Sequence, residues 1–233
     1  YSINKNQALL KLARKASNKG YYEDTQKIVK TLEKRIQPKV QTELYADLRL
    51  FQFELYKQYH KSKKLIKIAH LFPKVKFNDY QREDAIRKIS DIVGAKQVIL
   101  KKDYSKFDQN YDKSSLSQII TYFNILAAID PKEKALYEFY KAETYYSVER
   151  LRDALVFYKL SLVDYDKFPS KEDLRHKNMD AIFSSIENIP FKKDQKVIEL
   201  DFAYNKYLSY WPKDKKARKI FPRLFSLYLT NHN

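Results

Sequence analysis

The sequence has no cysteine, two glycines and seven prolines in 233 residues, and each shortage removes a class of protein. Without cysteine there is neither a disulfide framework nor a thiolate metal site. The lack suits an exported chain that avoids oxidation and leans slightly toward the cell envelope, though small cytoplasmic proteins also lack cysteine. Gly20 and Gly94 alone cannot build the glycine-rich phosphate loops of P-loop or dinucleotide-binding proteins, so nucleotide enzymes of those classes are excluded. So few turn formers, with no sustained β-type alternation, also exclude a sandwich or barrel. No apolar run reaches the roughly 18 residues of a membrane-spanning helix. The start, Tyr1-Ser-Ile-Asn-Lys, has neither Met nor a signal-peptide apolar region, which leads us to expect a mature form or a piece of a longer chain.

Catalytic signatures are equally sparse. The four histidines, His60, His70, His176 and His232, show no metal-ligand spacing. Asp164 and Asp166 are two residues apart at an expected helix end and so project from different faces. No serine has a nucleophile-elbow context. The expectation is a chain that is not an enzyme, with no catalytic residue, no metal and no cofactor.

What is present is helical periodicity. Hydrophobic residues make up 44% of the chain at a mean hydropathy of −0.66, enough for a sizeable core. From 4 to 18 an apolar face runs through Leu9, Leu10, Ala13 and Ala16, and a second from 22 to 36 carries Val29, Leu32 and Ile36. Further helices are expected from 40 to 59 and 62 to 71. Another starts at Asn78 or Asp79, with Gly94 either stopping or only weakening it and residues 95 to 113 either helix or loop. Ser114 or Ser115 opens the next, ending at Asp130-Pro131. The remainder are 132 to 148, 151 to 166, 170 or 171 to 187, 194 to 210 and 213 to 229. Short connections make them antiparallel pairs: an all-α chain of about five hairpins and a terminal helix.

Small and aromatic residues fall at fixed offsets in these pairs, most cleanly at Ala142 and Tyr145, then Ala154, Tyr158 and Ser161, with a proline displaced to Pro169. Where two helices cross closely only a small side chain fits, and neighbouring aromatics fill the wedge. Residues 135 to 166 thereby resemble a tetratricopeptide repeat. Residues 6 to 38 resemble a degenerate copy through Leu9, Ala13, Gly20-Tyr21-Tyr22 and Pro38, with Thr25, Val29 and Leu32 in place of the usual small and aromatic residues. Residues 203 to 217, with Tyr210-Trp211-Pro212, look like the junction between repeats in bacterial envelope members of that family.

The resemblance implies one right-handed superhelical domain over 1 to 233, a solenoid that scaffolds protein partners in its concave groove. By register, the groove positions are Gln7, Leu10, Arg14 and Asn18 in the first repeat, and Phe139, Glu143 and Tyr146 in the best one. The Lys-and-Asn clamp that some relatives use for a C-terminal carboxylate is not matched, because Leu10 and Arg14 occupy its first positions. The implied setting is a bacterial periplasm or envelope complex, with the cytoplasm as alternative.

Charge adds a second theme. The net +17 suits an anionic partner, either an acidic protein or nucleic acid, and suits a merely solvated surface too. Residues 57 to 76 hold seven lysines, Lys61, Lys63, Lys64 and Lys67 among them, and no acid. A second cluster comprises Lys213, Lys215, Lys216, Arg218, Lys219 and Arg223. With 20 tyrosines able to stack bases, an RNA-binding repeat protein is the alternative. A third reading is the non-catalytic solenoid part of an envelope enzyme such as a lytic transglycosylase.

Overall fold

The computed structural model describes residues 2–106, 112–170 and 173–231, and the described residues form α-helices with two short 3-10 turns and no strand. The helices are α1 (Ser2–Asn18), α2 (Tyr22–Arg35), α3 (Thr42–Gln58), α4 (Ser62–Ala69), α5 (Asp79–Lys106), α6 (Lys113–Ile129), α7 (Lys134–Tyr146), α8 (Leu151–Lys167), α9 (Arg175–Asn188), α10 (Lys193–Tyr210) and α11 (Lys215–Asn231). They fold as two compact units, residues 1–95 and 96–233.

In the first unit α1 packs on α2 and α3 on α4. Ala13 and Thr25 are fully buried, with Val29 and Leu32 beside them. A small residue therefore stands at the crossing in both helices of the degenerate pair. Thr25 satisfies its hydroxyl on the Tyr21 carbonyl at 2.7 Å, which lets a polar residue take the place of alanine. Phe72 lies in the 3-10 turn Phe72–Lys74 and closes the far end, its ring 5.3 Å from Phe53 and 5.4 Å from Phe77. Burying a side chain of this size contributes about 1.5–3 kcal/mol.

In the second unit α7 packs along α8, α8 on α9, α9 on α10 and α10 on α11, with α6 against α7. Ala142 and Ala154 are fully buried at the α7/α8 crossing. Ser161, also fully buried, donates to the Ala135 carbonyl at 2.7 Å. One core runs from these residues through Met179, Ile182 and Ile186 to Ala203, Ala217 and Ile220.

The turn within a hairpin has one recurring geometry. After α1, Gly20 has φ +83, with Tyr21 N–H on the Ala16 carbonyl (3.0 Å) and Gly20 N–H on that of Ser17 (2.9 Å). After α3, His60 has φ +53, with Lys61 N–H on Tyr56 and His60 N–H on Lys57. After α7, Glu149 has φ +56, with Arg150 N–H on Tyr145 and Glu149 N–H on Tyr146. Each is a Schellman closure around a left-handed residue, and the next helix begins two positions later. Three hairpins thus share a backbone turn, although only the first marks it with glycine.

Several expected boundaries move. Gly94 does not stop α5, which continues to Lys106, since one mid-helix glycine costs only about 1 kcal/mol. Residues 107–111 lie outside the described residues. The cap of α6 is Asp112, ahead of the expected serines, and its carboxylate accepts from the Ser114 and Ser115 amides. Of the two candidates for the start of α5, Asn78 closes a capping box with Gln81 (2.9 and 3.2 Å). The helix expected from 170 or 171 begins at Arg175, and Lys171 lies outside the described residues.

Candidate functional site

In the first unit α1, α3 and α5 are tied side by side by polar contacts. Asn6 donates to Gln41 (3.3 Å), Ser17 to Gln58 (3.2 Å), Gln81 to Asp47 (2.8 Å), and Lys88 pairs with Glu54 (3.2 Å). Between them lie two concavities that share residues. One, of about 240 Å³, is lined by Gln7, Leu10, Lys11, Arg14, Leu44 and Asp47. The other, of about 320 Å³, is lined by Arg14, Asp47, Leu50, Phe51, Glu54, Tyr80, Gln81, Asp84 and Lys88. Gln7, Leu10 and Arg14, nominated by repeat register, are thus brought to one surface. Asn18, at the C-terminus of α1, is exposed and lines neither concavity.

The charges of this surface are mostly neutralised by one another. Asp84 receives Lys88 at 2.7 Å and Arg87 at 2.6 Å. Burial works to raise its carboxyl, and these two cations outweigh that and hold it below the ordinary carboxylate value. Asp47 accepts from Gln81, which the capping box fixes in place. Arg14 and Lys11 are the exceptions: both are exposed and have no ion-pair or hydrogen-bond partner among the described residues. Tyr80 projects beside them, 80% exposed. Sequence reasoning missed Tyr80, Gln81, Asp84 and Lys88, whose spacing along α5 reads simply as a polar helix face.

In the second unit the register residues of α7 are engaged in packing. Phe139 is half-buried, its ring 5.8 Å from that of Tyr158. Glu143 is exposed and accepts a hydrogen bond of 2.5 Å from the Tyr158 hydroxyl; burial and that carboxylate push the phenol upward. Tyr146 is half-buried and shares a 3.1 Å hydrogen bond with Ser184 of α9. A concavity of about 360 Å³, not foreseen from sequence, lies between α8 and α10 over Leu155, Val156, Phe191 and Ile198. Its charges are occupied: Lys159 pairs with Glu199, and Arg152 sits over the Phe191 ring at 5.3 Å.

The basic residues divide by environment. Lys61 lies over the Tyr22 ring at 5.6 Å and Lys64 over Tyr56 at 5.5 Å, while Lys63 and Lys67 are exposed on α4. Lys216 pairs with Asp180 (3.3 Å) and lies over Phe183 and Tyr207. Lys215, Arg218 and Lys219 are exposed on α11, near Phe221 and Phe225, which are 52% and 64% exposed. Asp164 and Asp166 are held by Lys134 (3.1 Å) and Lys206 (2.5 Å) respectively. His176 stacks on Trp211 at 3.8 Å. His232 lies outside the described residues. No described helix is long and apolar enough to cross a membrane.

No model of a known protein family matches the chain. No curated protein matches it either.

Proposed function

We propose that the chain is a non-catalytic interaction scaffold, a right-handed superhelix of tetratricopeptide-like hairpins. In this reading it binds a segment of a protein partner on the surface between α1, α3 and α5. The observation that carries the proposal is the unpaired guanidinium of Arg14, exposed where two concavities meet although Asp47 lines both. The guanidinium has no partner from its own chain among the described residues, so it is free to meet one from outside. A partner carboxylate gains a bidentate, charge-assisted contact. Leu10, Leu50 and Phe51 supply an apolar floor, Tyr80 and Arg14 are residue types enriched at binding hot spots, and Gln7 adds a hydrogen-bonding group. The recurring left-handed turn and the small residues at the helix crossings support a repeat architecture. A bacterial envelope complex as the setting rests on the likeness of residues 203 to 217 together with the absence of cysteine.

The test is affinity capture from lysate of the source organism, split into nuclease-treated and untreated halves. The scaffold reading expects a discrete protein set that survives nuclease and is lost with Arg14→Glu. Unchanged capture by Arg14→Glu overturns it.

A second reading has its own observation. On α11, exposed Arg223 stands between exposed Phe221 and Phe225, with Arg218 and Lys219 just before them, a pattern able to stack bases while neutralising phosphates. Loss of all captured protein on nuclease treatment, with steep salt dependence, would favour RNA binding there.

A further inference from the structure

A separate concavity of the first unit, of about 250 Å³, opens between α2, α3 and α4. Its floor is apolar: Val29, Ile68 and the ring of Tyr56 are all buried. Its rim carries Lys30 from α2 with Lys64 and Lys67 from α4. The spacing of Lys64 and Lys67 puts both on one helix face. Lys30 and Lys67 have no partner among the described residues, and Lys64 touches only the Tyr56 ring. The one acid on the rim, Glu33, is already neutralised. Arg49 binds it at 2.8 Å, and Gln52 donates to the same oxygen at 3.1 Å. Three lysines without an anionic partner among the described residues therefore line one small cavity.

A second, independent feature points the same way. Gln26 lines this concavity, is 8% exposed, and its Nε2 is buried with no hydrogen-bond partner among the described residues. A buried donor left without a partner is unfavourable, and a small turn of the Gln26 amide toward the cavity would let a ligand oxygen accept from it.

We propose that this cavity binds a small organic phosphate, its phosphoryl group among Lys30, Lys64 and Lys67 and its apolar body on Val29 and Ile68. A phosphate dianion matches three cations better than a carboxylate does. Lysine offers point charges rather than the planar fork that selects carboxylates. The site is distinct from the α1/α3/α5 surface, and Arg14 lines no part of it.

The test titrates the full chain, by calorimetry at low salt, with phenyl phosphate, inorganic phosphate and benzoate. Phenyl phosphate is expected to bind with one site and tighter than the other two. Lys64→Gln and Lys67→Gln should each weaken it about two- to fivefold, the upper part of the range for exposed charge contacts. Lys63→Gln, on the same helix but outside the cavity, should leave it unchanged. Gln26→Leu should weaken binding without changing its salt dependence. Equal losses for Lys63→Gln and Lys67→Gln, or equal affinity for phenyl phosphate and benzoate, would overturn the proposal. Arg14→Glu should leave this titration unaltered, so failure here and failure of the scaffold reading are separable.

Discussion

Lys141 and Glu138 form an ion pair inside the second unit, at 2.8 Å, with side chains only 4% and 8% exposed. The ammonium also lies 5.2 Å above the Phe157 ring. Glu138 has nothing else: its second oxygen, Oε2, is buried without a partner among the described residues. Removing the cation by Lys141→Met therefore strands a carboxylate that water cannot reach, which costs about 3–5 kcal/mol. Replacing both members, Glu138→Leu with Lys141→Met, removes the stranded charge and should return stability close to wild type or above it. Trp211 is the only tryptophan and belongs to the same unit, so its fluorescence follows this unit's unfolding. With a urea slope of about 2 kcal/mol/M, the single variant should lower the midpoint by about 1.5–2.5 M. A drop below about 0.5 M, or a double variant no better than the single one, would refute the claim that the pair is desolvated and mutually dependent.

Further predictions concern turns and acid. His60→Gly should raise stability by about 0.5–1 kcal/mol, because the left-handed conformation it holds is free of strain only for glycine. Gly20→Ala should cost about 1 kcal/mol for the converse reason; circular dichroism in urea checks both. Asp84 is held below the ordinary carboxylate value, and Asp173, through its side-chain contact with Arg175, is drawn down to about 2. Lowered carboxylates stabilise fully above their unfolded value of about 3.9 and lose that contribution as pH falls through the folded one. Stability should thus hold from neutral pH to about 5 and fall between about 4 and 2. The difference between wild type and Asp84→Asn should shrink across that window.

Much of the helix pattern was legible because apolar spacing reports helix faces directly: Val29, Leu32, Ala142 and Ala154 are buried where periodicity places them. Gly20 announced its turn, whereas His60 and Glu149 adopt the same backbone with residue types that carry no such signal. Gly94 left the end of α5 open between a stop and a weak point, and the helix runs through it because one glycine costs little beside the packing of a 28-residue helix. The groove was half legible. Repeat register nominated Gln7, Leu10 and Arg14, which share one surface, but the α5 residues beside them come from a helix whose extent the sequence left open. Gln26 could not be nominated at all, since an orphaned amide is a property of its neighbours and not of its type.

Site-specific photocrosslinking shows whether a protein partner docks on the surface between α1, α3 and α5. A photoreactive residue would replace Tyr80 or Gln7, and as a control Val156, which is 54% exposed in the second unit. In lysate of the source organism, positions 80 and 7 should crosslink to the same discrete protein, with the crosslinks abolished by Arg14→Glu and absent from position 156. Crosslinks that persist with Arg14→Glu, or that form equally from position 156, would contradict docking at this surface.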